Sequence, residues 1–96
     1  MVINNLMIKL KQRDKESIDT AVSVLRELKG NVPVLLDSRV ETDLREDAGY
    51  DIMLINTFNS FEDIQTYLSH PAHMKVADYI SNRIEERASF CYKTEE

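Results

Sequence analysis

The chain of 96 residues contains no tryptophan, one cysteine, two glycines and two prolines. The single thiol, Cys91, cannot form an internal disulfide, which predicts a protein of a reducing compartment such as the cytoplasm. So few glycines and prolines exclude collagen-like and low-complexity chains. A hydrophobic fraction of 43% and a charged fraction of 30% are typical of a globular domain. We therefore expect one domain over residues 1–96.

Long apolar runs and an excess of positive charge are also absent. The longest apolar run covers residues 32–36, whereas a membrane-spanning helix needs ~20 residues, so no membrane partner is expected. The formal net charge of -5 argues against binding to nucleic acid, since phosphate contacts need clustered lysines and arginines. No cysteine–histidine spacing resembles a zinc site, so no metal is predicted.

Hydrophobic periodicity predicts four strands and three helices. Alternation of apolar and polar residues marks strands near residues 3–11, 34–42, 50–58 and 88–93. A first amphipathic helix follows the first strand, with Asp14 or Ser17 as N-cap and Gly30 past its end. Ser60 opens a short second helix and Pro71 a third. The third helix is expected to bury Met74, Ala77, Ile80 and Ile84.

The predicted order β-α-β-β-α-α-β is that of a ferredoxin-like α+β unit with a four-stranded antiparallel sheet. Right-handed crossovers place all helices on one face of such a sheet. We expect the opposite face to carry Met7, Met53, Ile55 and Cys91. An apolar face of this kind needs cover, so the pattern predicts a homodimer that packs sheet on sheet.

Residues 67–73 hold both histidines of the chain together with a tyrosine and a proline. Imidazole titrates near neutral pH and phenol can donate a proton, so Tyr67 and His73 are candidate catalytic residues. Asn4 and His70 are candidate ligand contacts. Each has a structural alternative: core packing for Tyr67, a solvent-facing position in the first helical turn for His73, a helix joint for His70 and a turn for Asn4.

Four segments carry a family resemblance, namely Ile8-Lys9-Leu10-Lys11, Gly49-Tyr50-Asp51, Phe58-Asn59-Ser60 and residues 67–73. On these segments the chain resembles the stress-responsive A/B barrel family, or Dabb domains, of the dimeric α+β barrel group. The resemblance covers nearly the whole chain. It implies a ferredoxin-like protomer that pairs its sheet with that of a second copy to form a barrel.

The resemblance also implies a polyketide-cyclase-like chemistry that needs no cofactor. Tyr67 and His73 match the two reactive positions: His73 would take a proton next to a carbonyl group, and Tyr67 would hydrogen-bond the oxygen that gains charge. The chain departs from the family pattern at Asn4, where many members have a histidine, and at Glu41, where a glycine is common. Asn4 cannot act as a base.

These observations and the family resemblance leave three alternative functions. The first is a homodimeric module that binds a small apolar or carbonyl-containing ligand, and the second is a cofactor-independent lyase or cyclase. The third is a monooxygenase-like or haem-handling relative, which the lack of tryptophan disfavours because an aromatic wall is missing. Fold by itself does not decide among them.

Overall fold

A computed structural model describes residues 1–95 of the chain. Four strands and three helices follow one another in the predicted order. They are β1 (Val2–Leu10), α1 (Lys15–Arg26), β2 (Asp37–Thr42), β3 (Ile52–Phe58), α2 (Phe61–Ser69), α3 (Pro71–Ser81) and β4 (Ile84–Lys93). No helix within residues 1–95 is long and apolar enough to cross a membrane.

The strands form one antiparallel sheet in the order β2-β3-β1-β4. The hairpin predicted for the second and third strands is present, with Val40 opposite Leu54. This topology is ferredoxin-like, and it confirms the predicted fold class.

Local sequence signals account for the helix ends. Asp14, the first of the two predicted N-caps, accepts a hydrogen bond from the Ser17 backbone N–H at 3.1 Å. Ser60 caps α2 through the Asp63 N–H at 3.3 Å. Gly30 has a φ of 85°, a left-handed conformation that suits glycine in the turn after α1.

The helices cover one face of the sheet, here called the helix side. Ile8, Leu54 and Phe58 point to this side and are among the most buried residues. The other face, the outer face, carries Met7, Met53, Ile55, Phe90 and Tyr92, as the strand pairing and alternation require. Phe90 is 69% exposed and Tyr92 is 42% exposed, so a single chain leaves this apolar face open.

The predicted face of Cys91 was wrong. Cys91 pairs with Asn4 across β1 and β4, so it lies on the helix side rather than beside Met7. Its side chain is exposed because β4 is an edge strand that the helices do not cover. Phe90 occupies the outer face in its place.

Ile84 and Met74 also differ from expectation. Ile84 begins β4 instead of ending α3, because the chain turns at Arg83, whose carbonyl accepts the Lys11 N–H at 2.9 Å. Met74 is exposed, and Val76 takes the buried position of α3. The predicted second and third strands begin two or three residues too early, at 34 and 50 rather than 37 and 52.

A buried carboxylate joins the ends of β1 and β3. Asp51 accepts hydrogen bonds from the Leu10 backbone N–H at 2.9 Å and from Arg13 Nε at 3.0 Å. Arg13 also donates to the Ala48 carbonyl, which attaches the β2–β3 connection to the start of α1. Sequence patterns did not predict this cluster, since its members are far apart in the chain.

Candidate ligand cavity

A cavity of about 500 Å³ lies between the helix side of the sheet and helices α2 and α3. Its wall is mostly apolar. The sheet contributes Leu6 and Leu54, α1 contributes Leu25, and α2 and α3 contribute Ile64, Val76 and Ile80. Pockets of this volume and character accommodate small organic molecules, with a few polar groups setting their orientation.

A row of polar residues crosses this apolar face. Ser38, Asn56, Asn4 and Cys91 lie opposite one another on β2, β3, β1 and β4 in turn. Asn56, Asn4 and Cys91 all line the cavity. Asn4 therefore belongs to strand β1 and its side chain lines the cavity. The alternative that Asn4 is a turn residue is wrong.

Tyr67 projects from α2 and is 4% exposed. Its hydroxyl oxygen accepts a hydrogen bond from Asn56 Nδ2 at 3.2 Å, and Asn56 Oδ1 accepts one from Ser38 Oγ at 2.6 Å. Its ring packs edge-on against Phe58, with centroids 5.3 Å apart. Burial raises the pKa of Tyr67 to about 12, so the phenol stays protonated and can act as a donor.

Hydrogen bonds arranged in a chain polarise one another, which makes the terminal phenol a stronger donor. The Tyr67 oxygen receives the Asn56 N–H, so its own proton is free to bond a ligand acceptor. Sequence reasoning missed Asn56 and Ser38. The signal was present, because Asn56 falls on the buried face of a strand whose other inward positions are Ile52, Leu54 and Phe58.

His73 lies in the first turn of α3 and lines the same cavity. Its ring packs against that of Tyr67, with centroids 4.5 Å apart and planes at 52°. Its Nδ1 lies 3.0 Å from the Leu68 carbonyl oxygen. Because a carbonyl can only accept, Nδ1 carries a proton, and in the neutral ring Nε2 holds the lone pair. Burial lowers the pKa of His73, and the bond to Leu68 partly opposes that shift.

His70 occupies the joint between α2 and α3. Its Nδ1 accepts the Ala72 backbone N–H at 3.0 Å, which makes His70 the N-cap of α3. It is not among the residues that line the cavity. The structure thus brings Tyr67, His73 and Asn4 together and leaves His70 outside the group.

Charged groups are few around the cavity. Within residues 1–95, no group of three or more His, Cys, Asp or Glu side chains could hold a metal ion. The polar lining residues include the phenol of Tyr67, the imidazole of His73 and the amides of Asn4 and Asn56, which can form hydrogen bonds, and the first two can also transfer protons.

A family model, the Stress Responsive A/B Barrel Domain (Dabb), matches residues 5–93 of the chain. The chain belongs to the Dabb family. The resemblance seen in the sequence is thereby confirmed. A comparison with curated protein sequences found no match for this Dabb protein.

Several solved structures have the same fold as this Dabb protein. A dimeric protein of unknown function and ferredoxin-like fold from Bacteroides fragilis is 19% identical, with 97% of this chain and 95% of that chain covered and a TM-score of 0.83. A hydroxynitrile lyase from Passiflora edulis is 20% identical, with 99% and 94% covered and a TM-score of 0.82. An antibiotic biosynthesis monooxygenase is 13% identical over 100% of both chains, with a TM-score of 0.78. At these identities the likeness shows the fold alone.

The hydrogen bond and burial of His73 predict its titration. We expect a midpoint below the ordinary value of 6.5, with the Nδ1–H tautomer populated at neutral pH. Because the unfolded chain binds this proton more tightly, His73 stabilises the fold fully above about pH 6.5, and this contribution is lost as the pH falls through its folded pKa. The ¹⁵N shifts of the two imidazole rings measure both properties.

The His70→Asn variant assigns the two sets of signals, because it removes one imidazole and keeps a side chain that can cap α3. A His73 midpoint above 6.5, or a proton on Nε2 at neutral pH, would contradict the geometry described above.

Proposed function

We propose that this Dabb protein binds a small apolar molecule that carries a carbonyl group, and that the binding site is the cavity between the sheet and helices α2 and α3. The observation that carries this proposal is the buried phenol of Tyr67, whose oxygen is already engaged by Asn56 and whose proton is free. A carbonyl oxygen is the simplest partner for such a donor.

The surroundings of Tyr67 support the same ligand class. The cavity wall is apolar, so an apolar body gains free energy by leaving water. A ligand without an acceptor would leave the phenol proton unpaired in a buried place, which carries a desolvation cost. The cavity should therefore discriminate between a ketone and a hydrocarbon of similar shape.

Acetophenone and ethylbenzene form a suitable pair of probes. We expect acetophenone to bind about fivefold more tightly, since one neutral hydrogen bond contributes about 1 kcal/mol. Tyr67→Phe should remove this preference. Chemical-shift titration of the backbone amides of α2, α3 and β1 measures affinity and location together.

The cavity itself is tested by Ala77→Phe, which places a ring among the lining residues and should abolish binding. Ser23→Phe adds the same ring at an exposed position of α1 and should leave binding intact. Chemical-shift changes outside the cavity would refute the assigned site. Binding that is retained in Ala77→Phe and lost in Ser23→Phe would refute it as well.

We propose a second candidate function, proton transfer catalysed without a cofactor, because one observation favours it. The bond from His73 Nδ1 to the Leu68 carbonyl leaves Nε2 as the basic nitrogen, and burial keeps the ring neutral near pH 7. A base and a hydrogen-bond donor that share one cavity are the pair needed to form an enolate.

In such a reaction, Nε2 of His73 takes a proton from the carbon next to the ligand carbonyl. The C–H electron pair forms a C=C bond and the carbonyl pair moves to oxygen, where the Tyr67 O–H donates a hydrogen bond to it. The enolate carbon can then attack a second carbonyl of the same molecule and close a ring. His73 returns its proton to the new alkoxide.

Deuterium exchange of the acetophenone methyl group tests this step without knowledge of the natural substrate. We expect wild-type protein to accelerate exchange in D₂O, and His73→Gln to slow it by about 100-fold, the usual contribution of a general base. The rate should rise with pH through the His73 midpoint. His70→Asn should retain the rate, since His70 lies outside the cavity.

An exchange rate equal to that of free imidazole would overturn the catalytic role and leave ligand binding in place. Equal losses in His70→Asn and His73→Gln would show that the helix joint, rather than the His73 base, is responsible.

We also propose that two copies pair through their outer faces as a homodimeric barrel. The open apolar face supports this, since a buried patch of ~800 Å² per subunit is typical of a stable interface.

Light scattering during gel filtration tests the assembly. We expect wild-type protein to elute with twice the 11.1 kDa chain mass, and Phe90→Glu to elute as a monomer because it places a charge on the outer face. Phe61→Glu is the matched control: Phe61 is 60% exposed, against 69% for Phe90, but lies on α2 on the opposite side of the sheet. A stable 11.1 kDa species in wild type would refute the dimer.

Three expectations stay predictions. They are a single functional domain over residues 1–96, a cytoplasmic location, and a ligand role for His70. A third function, that of a monooxygenase-like or haem-handling relative, is supported only by the fold that this chain shares with a solved monooxygenase.

A further inference from the structure

Arg87 is the only permanently charged side chain that lines the cavity within residues 1–95. It lies on β4 directly opposite Ile8, whose side chain is fully buried on the helix side, so Arg87 projects to the same side. It is exposed, as are its neighbours Ser89 and Cys91, which mark the mouth of the cavity along the β4 edge.

The guanidinium of Arg87 has no ion pair in the part of the chain that the structure describes. Of the two preceding acids on β4, Glu85 pairs with Lys9 at 3.4 Å. Glu86 lies opposite Lys9 and therefore points to the outer face. A protein with a net charge of -5 thus presents an unneutralised positive charge at the mouth of an apolar cavity.

We propose that the ligand carries a carboxylate, and that Arg87 binds this group at the cavity mouth while the carbonyl lies at Tyr67. This inference rests on the proposed function and specifies its ligand class as an apolar oxo-carboxylate. One guanidinium, with no second cation among the lining residues 1–95, matches a single negative charge. Its planar N–H groups can hold a carboxylate by two parallel hydrogen bonds.

The strand register sets the length of such a ligand. Arg87 and Cys91 are four residues apart on β4, and the polar row of Asn56 and Asn4 lies level with Cys91. At a rise of ~3.3 Å per residue, the backbone of Arg87 lies ~13 Å along the strand from this polar row. The Arg87 side chain can span part of this distance, so the ligand needs an apolar body of several carbons between its two polar groups, and short carboxylates should not suffice.

Octanoate and octanamide test the carboxylate contact, because they share an apolar chain and differ in charge. We expect octanoate to bind wild-type protein about fivefold more tightly, a modest factor because the pair is partly exposed to solvent. Arg87→Gln should make the two affinities equal, and Arg87→Lys should retain part of the preference. Propionate should bind too weakly to measure. Amide shifts at the cavity residues report the binding.

Arg26→Gln is the matched control, because it removes the same charge from an exposed position at the end of α1, away from the cavity. Equal binding of octanoate and octanamide in the cavity would overturn the role of Arg87 and leave the proposed function standing. Loss of the preference in Arg26→Gln would overturn it as well, since net charge would then be the cause. Failure of both probes and of acetophenone to shift any cavity residue would overturn the proposed function and this inference together.

Discussion

The rest of this structure depends on one constraint: the helices cover only one face of the sheet. Crossovers between parallel strands are almost always right-handed, which places α1, α2 and α3 on the same side of the four-stranded sheet. Three helices do not fill that side completely, and the space left between β1, β4 and the α2–α3 pair is the cavity. The opposite side keeps an exposed apolar surface that includes Phe90 and Tyr92, a feature typical of interaction sites.

The polar groups inside this fold are costly unless they are hydrogen-bonded. Ser38, Asn56 and Tyr67 satisfy most of that requirement among themselves, by two hydrogen bonds of 2.6 and 3.2 Å. A leucine at position 56 would continue the apolar face without any such requirement. The chain instead has an amide at this position, and this amide hydrogen-bonds the Tyr67 hydroxyl beside the cavity. The ligand that we propose would bond the remaining phenol proton.

Much of the fold could be predicted from local patterns. Alternation identified the strands, capping signals at Asp14, Ser60 and Pro71 set the helix starts, and the order of elements indicated the ferredoxin-like topology. Predictions failed where contacts between residues far apart in the sequence decide the secondary structure or the face of a strand. Ile84 fits the period of α3, yet pairing with Leu10 in the sheet makes it the first residue of β4. Cys91 was assigned to the wrong face because alternation shows only that Phe90 and Cys91 lie on opposite faces. The pairing of β4 with β1 decides which of these faces the helices cover.

The sequence by itself determined which chemical groups the protein has: one phenol and two imidazoles close together in residues 67–73, with a proline that divides two helices. It also determined the helix caps, because those depend on neighbours three residues away. Only the tertiary structure decided that His73 and Tyr67 share a cavity that His70 does not line. The same holds for Asn56 and Arg87, because the pairing of strands far apart in the chain places their side chains on the helix side.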